Sequence, residues 1–120
     1  VVKVLICGAR DWSDKAFIKL KMQKLKAGTI VVHGAARGAD SLAGEVAEEM
    51  GLEVHPYPAA WGVFGRAAGP IRNEQMLNEE MPDAVWAFHS YIEGSKGTKD
   101  MMRQAQRRGI PVVLFSNKKK

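Results

Sequence analysis

Three short segments combine glycine with basic or hydroxyl side chains: His33-Gly34-Ala35-Ala36-Arg37-Gly38-Ala39-Asp40, Ala68-Gly69-Pro70-Ile71-Arg72-Asn73 and Gly94-Ser95-Lys96-Gly97-Thr98. Each opens a stretch with helical patterning. A helix N-terminus presents unpaired N–H groups and the positive end of the macrodipole, glycine admits a ligand to the main chain, and arginine grips phosphate bidentately. The chemistry implied is recognition of a phosphorylated ligand. A fourth segment, Gly8-Ala9-Arg10-Asp11-Trp12, follows the first apolar run, where Gly8 can make a tight exit and Arg10 can reach the same crevice. The candidate ligand-binding residues are Gly8, Arg10, Gly34, Arg37, Gly38, Asp40, Arg72, Asn73, Gly94, Lys96, Gly97 and Thr98.

Several of these have structural readings that stand beside the functional ones. Asp40 caps the following helix or orients Arg37, and Gly34 and Gly38 serve as turn residues. Thr98 caps the last helix. Trp61, between Pro58 and Gly62, is either a stacking lid for a base or loop packing. The pattern Gly-x-Gly-x-x-Gly is missing after the first strand, and no Gly-x-x-x-x-Gly-Lys-Ser/Thr loop supports triphosphate hydrolysis. Cys7, His33 and His89 fall near strand ends without metal-ligand spacing, so neither metal nor cofactor is expected. Cys7 reads as a small hydrophobe within an apolar strand, not as a nucleophile. Lys99, Arg103 and Arg107 form a basic stripe that reads as a solvated helix face.

The elements that must position these residues alternate. Apolar runs at Val2 to Cys7, Thr29 to His33, Leu52 to Tyr57, Ala84 to Phe88 and Ile110 to Phe115 predict five strands. Ala39, Leu42, Ala43, Val46, Ala47 and Met50 make one apolar helical face that stops at Gly51. Ile18, Met22 and Leu25 mark an earlier helix, entered from Ser13 or Asp14 and running to near Gly28. Pro70 suits the first turn of a third helix, and Met101, Met102 and Ala105 face inward on a fourth that ends at Gly109. Residues 58 to 69 read as one long irregular piece. The fold class predicted is α/β: a single Rossmann-like three-layer domain over residues 1–117, a five-stranded parallel sheet with helices on both faces. In such sheets ligands bind beyond the carboxyl ends of the strands, at the switch point, where the glycine segments fall.

Composition bounds the function. A chain of 120 residues that is 46% hydrophobic can bury a core, and no run of about 20 apolar residues offers a bilayer span, so no membrane partner is expected. No secretory leader is read at the start, and one cysteine with six methionines points to a cytoplasmic location. Of the formal net charge of +5, Lys118, Lys119 and Lys120 supply three; this tail is expected to be disordered, and the body carries only +2. That is low for a nucleic-acid binder.

Taken together, Gly8-Ala9-Arg10-Asp11-Trp12, the His33 to Asp40 segment, Tyr57-Pro58-Ala59-Ala60-Trp61, the Ala68 to Asn73 segment with Met76, and Gly97-Thr98 resemble the YspA-type, cpYpsA-related SLOG family over nearly the whole chain. The resemblance implies a Rossmann-like SLOG domain, in a superfamily that includes LONELY GUY phosphoribohydrolases and DNA-processing DprA proteins. It also implies a nucleotide or nucleotide-derived ligand, such as a relative of ADP-ribose. LONELY GUY enzymes carry an arginine four residues before a methionine and a Gly-Gly-x-Gly-Thr loop followed by x-x-Glu. Arg72 and Met76 match the first pattern, but the glutamate position is Met101, which can neither move a proton nor stabilise an oxocarbenium ion. Asp100 is one residue away, about 100° around the helix.

The reading is therefore a protein that binds a nucleotide-derived phosphorylated ligand, ADP-ribose-like or phosphoribosyl, with no reaction assigned. If it is an enzyme, it hydrolyses a ribosyl bond, and Glu74 or Asp40 are the carboxylates at hand. Alternatives are a DprA-like single-stranded nucleic-acid binder, a phosphoribohydrolase-like N-glycosidic hydrolase, and a non-catalytic oligomerisation module, with a homodimer left open. Arg72 is expected to serve ligand binding alone, so that its loss spares the fold.

Overall fold

A computed structural model describes residues 1–117; the predicted lysine tail, Lys118 to Lys120, lies outside the described residues. Strands β1 (Lys3–Gly8), β2 (Ile30–His33), β3 (Glu53–Pro56), β4 (Ala84–Phe88) and β5 (Val112–Phe115) form one all-parallel sheet in the order β3-β2-β1-β4-β5. β1 is central because it is apolar on both faces, with Val4, Leu5, Ile6 and Cys7 all buried. Its end pairs in register with β4, Gly8 opposite Phe88, so the loops after the two strands leave at the same level. β3 and β5 are edge strands. The apolar composition of β5 reads like that of β1, yet its Val113 and Leu114 are exposed.

Helices α1 (Lys15–Met22) and α2 (Ala39–Glu49) cover one face of the sheet, packing Ile18, Met22, Ala43 and Val46 against Val4, Ile6 and Val31. Helices α4 (Ala68–Glu80) and α5 (Gly97–Arg107) cover the other, packing Met76, Leu77, Met101 and Ala105 against Leu5, Cys7 and Val32. The strict alternation along β1 thus feeds two cores, and the predicted three-layer arrangement is what the chain adopts. Small residues bring α2 close to the sheet: a Cβ at Gly44 would stand 2.8 Å from Nε2 of His33.

Two boundaries differ from expectation. α1 ends at Met22 and does not run to Gly28. The backbone tightens there, with Leu25 N–H donating to the Met22 carbonyl at 2.9 Å, and this turn still points Leu25 at the core. The start is as predicted, Asp14 capping the helix by accepting from Phe17 N–H at 3.0 Å. The stretch read as irregular contains a short helix, α3 (Trp61–Phe64), then a 3-10 turn, Gly65–Ala67, that runs directly into α4. None of the α3 residues is buried, so it has no apolar periodicity to detect. Pro70 becomes the third residue of α4, still within the turn whose N–H groups lack helical acceptors.

The β3 end is anchored by a buried carboxylate. Glu80 accepts from Tyr57 Oη at 2.6 Å and from Lys3 Nζ at 3.0 Å, and it pairs with His55 Nδ1 at 2.8 Å. His55 is held above its ordinary pKa by Glu53 first and then by Glu80. The cluster fixes Tyr57, from which the Pro58 to Trp61 loop departs. Among the described residues, no helix is long and apolar enough to cross a membrane.

Candidate functional site

The loops after β1, β2 and β4 meet beyond the carboxyl ends of the strands, where the strand order reverses about β1. Between them lies a cleft of about 350 Å³, lined by Gly8, Ala9 and Arg10 after β1, Asp40 at the start of α2, Arg72, Asn73 and Met76 of α4, and Ser95 to Thr98 with Met101 at α5. A second cavity of about 300 Å³ adjoins it, lined by Gly34 to Arg37, Pro58, Ala59 and Trp61. Arg10, Ala36 and Arg72 line both.

Gly8 is required by its surroundings. A Cβ there would overlap the Phe88 carbonyl, which accepts from Ala9 N–H at 2.9 Å as the loop crosses β4. Gly38 lies at φ +76, and a Cβ there would strike the backbone of Ala9 and Arg10. The β2 and β1 loops are therefore pressed together, and Ala39 N–H donates to the Ala9 carbonyl at 3.1 Å. Much of the α2 N-terminus is consequently spent on the protein. The Asp40 carboxylate collects Gly34 N–H at 2.8 Å and the N–H of Ala36, and it does not orient Arg37 as one reading of the sequence expected. Arg37 is exposed and stands in the second cavity.

The Gly34 peptide is clamped from both ends. Asp40 takes its N–H while Arg72 Nη1 donates to its carbonyl, and a Cβ at Gly34 would collide with both side chains. Arg72 also donates through Nη1 to the Tyr57 carbonyl at 3.4 Å and through Nε to Asn73 Oδ1 at 3.1 Å. Asn73, buried, donates in turn to Asp100 Oδ2 at 3.0 Å. Asp100, set aside in the sequence as one position off, thus organises the site at one remove: it receives Gln104 at 2.8 Å and holds Asn73, which steadies Arg72. Arg72 Nη2 donates to no acceptor among the described residues. Burial lowers the Arg72 pKa, Asp40 counters this, and Arg10 adds repulsion.

Asp40 is 5% exposed, and burial pushes its carboxyl up to about 6, against the opposing effects of the Gly34 N–H and Arg72. The folded protein therefore holds this proton longer than the unfolded chain. Stability from this group is full below about pH 4 and is lost as pH rises to about 6, at roughly 1.4 kcal/mol per pH unit. Asp40→Asn keeps an acceptor for Gly34 N–H but cannot ionise. Denaturant unfolding at pH 4.5 and 7.5 is expected to show the variant gaining on wild type at the higher pH.

On the β4 side, Ser95 and not Thr98 provides the cap, its Oγ accepting from Thr98 N–H at 3.0 Å, while Thr98 itself is buried. Lys96 and Gly97 line the cleft at the α5 N-terminus. Gly94 closes a 3-10 turn, Ile92–Gly94, and does not line it, nor does Gly38. Met101 lies fully buried beneath the cleft, within the core of the α4 and α5 face. Glu74 is exposed and does not line the cleft. Burial drives the Cys7 thiol far above its ordinary pKa, which keeps it protonated. His33 is packed under α2 with its Nδ1 accepting from Ala35 N–H at 2.9 Å. Among the described residues no group of His, Cys, Asp and Glu could hold a metal ion. His89 and Ser95 also line the cleft; neither is among the candidate ligand-binding residues, although Ser95 lies within the Gly94 to Thr98 segment.

Trp61 sits across the second cavity. Its ring rests against Gly69, where a Cβ would approach to 3.3 Å, and the Arg10 guanidinium lies 5.4 Å from the ring centroid. The cavity thus joins an aromatic surface to three arginines, Arg10, Arg37 and Arg72.

An all-parallel sheet covered by helices on both faces, its strand order reversing about β1, makes this a Rossmann-like domain. A model of the YspA, cpYpsA-related SLOG family matches residues 2–64. The chain is also 38% identical to the Gene 61 protein of Mycobacterium phage D29 over 125 residues, covering 97% of this chain and 98% of that protein. The chain belongs to the YspA, cpYpsA-related SLOG family, and membership supports a nucleotide-related ligand-binding fold.

Proposed function

We propose that the paired cavities bind a nucleotide-derived phosphorylated ligand, an ADP-ribose-like or phosphoribosyl compound, with its phosphate between Arg10 and Arg72. The observation that carries this is the sharing of these two arginines by both cavities. Two guanidinium groups brought together in a partly buried site repel, and an anion between them relieves that repulsion with charge-assisted hydrogen bonds. The backbone at Lys96 and Gly97 supplies donors at a helix N-terminus, and Trp61 offers a face on which a base stacks. Binding is the reading favoured over N-glycosidic hydrolysis, since the position that corresponds to the LONELY GUY enzymes' glutamate is the buried Met101.

A thermal-shift screen tests it. A ligand at about 100 times its dissociation constant stabilises by roughly 2.7 kcal/mol, so the unfolding midpoint is expected to rise with at least one mononucleotide, dinucleotide, ADP-ribose or phosphoribosyl compound. No rise with any of them at millimolar concentration would contradict the proposal.

The same charge distribution predicts weak binding to single-stranded DNA. Without its three terminal lysines the chain carries only +2, so few phosphates are neutralised together. Titration of the chain lacking Lys118 to Lys120, at two salt concentrations, is expected to give affinities weaker than micromolar at physiological salt. Tighter binding would favour the DprA-like alternative.

A further inference from the structure

A third cavity, of about 320 Å³, opens on the opposite side of the β1 loop from the Trp61 cavity. Ala9 and His89 line both it and the central cleft, so the three hollows form a series along the carboxyl edge of the sheet. Their chemistry changes along the series. The Trp61 cavity and the central cleft carry arginine and lysine, whereas the third contains neither and is lined instead by Asp11, Ser13, Ser90 and Asn117.

Its polar groups suit an uncharged partner. Ser90 Oγ donates to Asn117 Oδ1 at 2.9 Å, and Asn117 Nδ2 donates to Asp14 Oδ2 at 3.1 Å, so Asn117 is held in place from two sides. His89 Nδ1 accepts from Tyr91 N–H at 2.9 Å. Burial disfavours the charged ring, against the weaker opposing pull of Asp11, and with Nδ1 accepting from Tyr91 the neutral imidazole carries its proton on Nε2, as a donor. Asp11, exposed at the mouth, offers a carboxylate acceptor. Carboxylate and hydroxyl groups beside a neutral imidazole recognise hydroxyls, and a second phosphate here would face Asp11 without a cation.

We propose that this third cavity is a subsite for an uncharged polyhydroxyl group, a sugar joined through the phosphate, so that the ligand is a two-armed, diphosphate-bridged molecule and not a free mononucleotide. The inference rests on the binding reading above and extends it. The base occupies the Trp61 cavity, the diphosphate lies between Arg10 and Arg72, and the second sugar passes Ala9 and His89 to reach Asp11 and Ser90. In a sheet whose strand order reverses about β1, a ligand lying across the switch point reaches both flanks in this way.

Calorimetric titration with ADP and with ADP-ribose decides it, because the two probes share the base, first ribose and diphosphate and differ by the terminal sugar. ADP-ribose is expected to bind at least tenfold more tightly than ADP, although ADP carries more charge. Asp11→Asn and Ser90→Ala, both outside the arginine cluster, are expected to erase most of that advantage while leaving the ADP affinity unchanged. Equal affinities for the two probes would overturn the third subsite and leave the binding reading standing. An advantage that survives both substitutions would place the second sugar elsewhere and also overturn it. Failure of both probes, and of the other nucleotides in the thermal-shift screen, would remove the binding reading itself and this inference with it.

Discussion

Met101→Ala is expected to lower the free energy of unfolding by about 2 to 5 kcal/mol, in the range for emptying a buried methionine site. Met101 is completely covered, and it belongs to the apolar cluster that joins α4 and α5 to Leu5, Cys7 and Val32. Truncation leaves a void between two helices and the central strand, where the sheet cannot collapse to fill it. Met101→Leu conserves volume and is expected to cost less than about 1.5 kcal/mol. Urea unfolding of the three proteins measures both effects. At the position where the LONELY GUY motif carries its glutamate, this chain has a thioether in the core, which cannot donate a proton. The purified protein is therefore expected to release no base from AMP. Release at about 1 per second or faster would show that another group supplies the acid.

Arg72→Ala is expected to weaken ligand binding by about 1.5 to 3 kcal/mol, the range for a charge-assisted hydrogen bond, which corresponds to roughly 10- to 150-fold in the dissociation constant. The sequence alone suggests that the fold would be spared. The structure argues otherwise, because Arg72 also donates to the carbonyls of Gly34 and Tyr57 and to Asn73, and so ties the β2 loop and the end of β3 to α4. The variant is expected to lose stability as well as affinity. Calorimetry well below its unfolding midpoint separates the two losses. Arg72→Lys keeps the charge without the planar fork and is expected to fall between wild type and alanine in affinity.

The layers and the site loops were legible because their physics is local. Ala39, Ala43, Val46 and Ala47 declare a helix by spacing, β1 declares a strand buried on both faces by its unbroken apolar run from Val4 to Cys7, and Gly8, Gly34 and Gly38 stand where a Cβ would collide. What escaped is what depends on partners distant in the sequence. Asp40 and Arg72 meet only around the Gly34 peptide, and Asp100 reaches Arg72 only through Asn73. Nothing local in the sequence identifies either relation. α3 escaped because it buries no residue, and the edge position of β5 because composition does not tell an edge strand from a central one. Gly94 looked like part of the phosphate loop by proximity to Gly97, but the intervening Ser95 cap separates the two.

The central claim is that an anionic nucleotide derivative sits between the β1 loop, Arg72 and the α5 N-terminus. Amide NMR of uniformly labelled protein, titrated with ADP-ribose, tests it most directly because it reports both binding and place. The largest shift changes are expected at Gly8, Ala9 and Arg10, at Gly34 to Arg37, and at Lys96 and Gly97, with little change at Leu77, Met81 and Ile110 on the far end of the sheet. Shifts confined to that far end, or a spectrum unmoved at millimolar ADP-ribose, would contradict it.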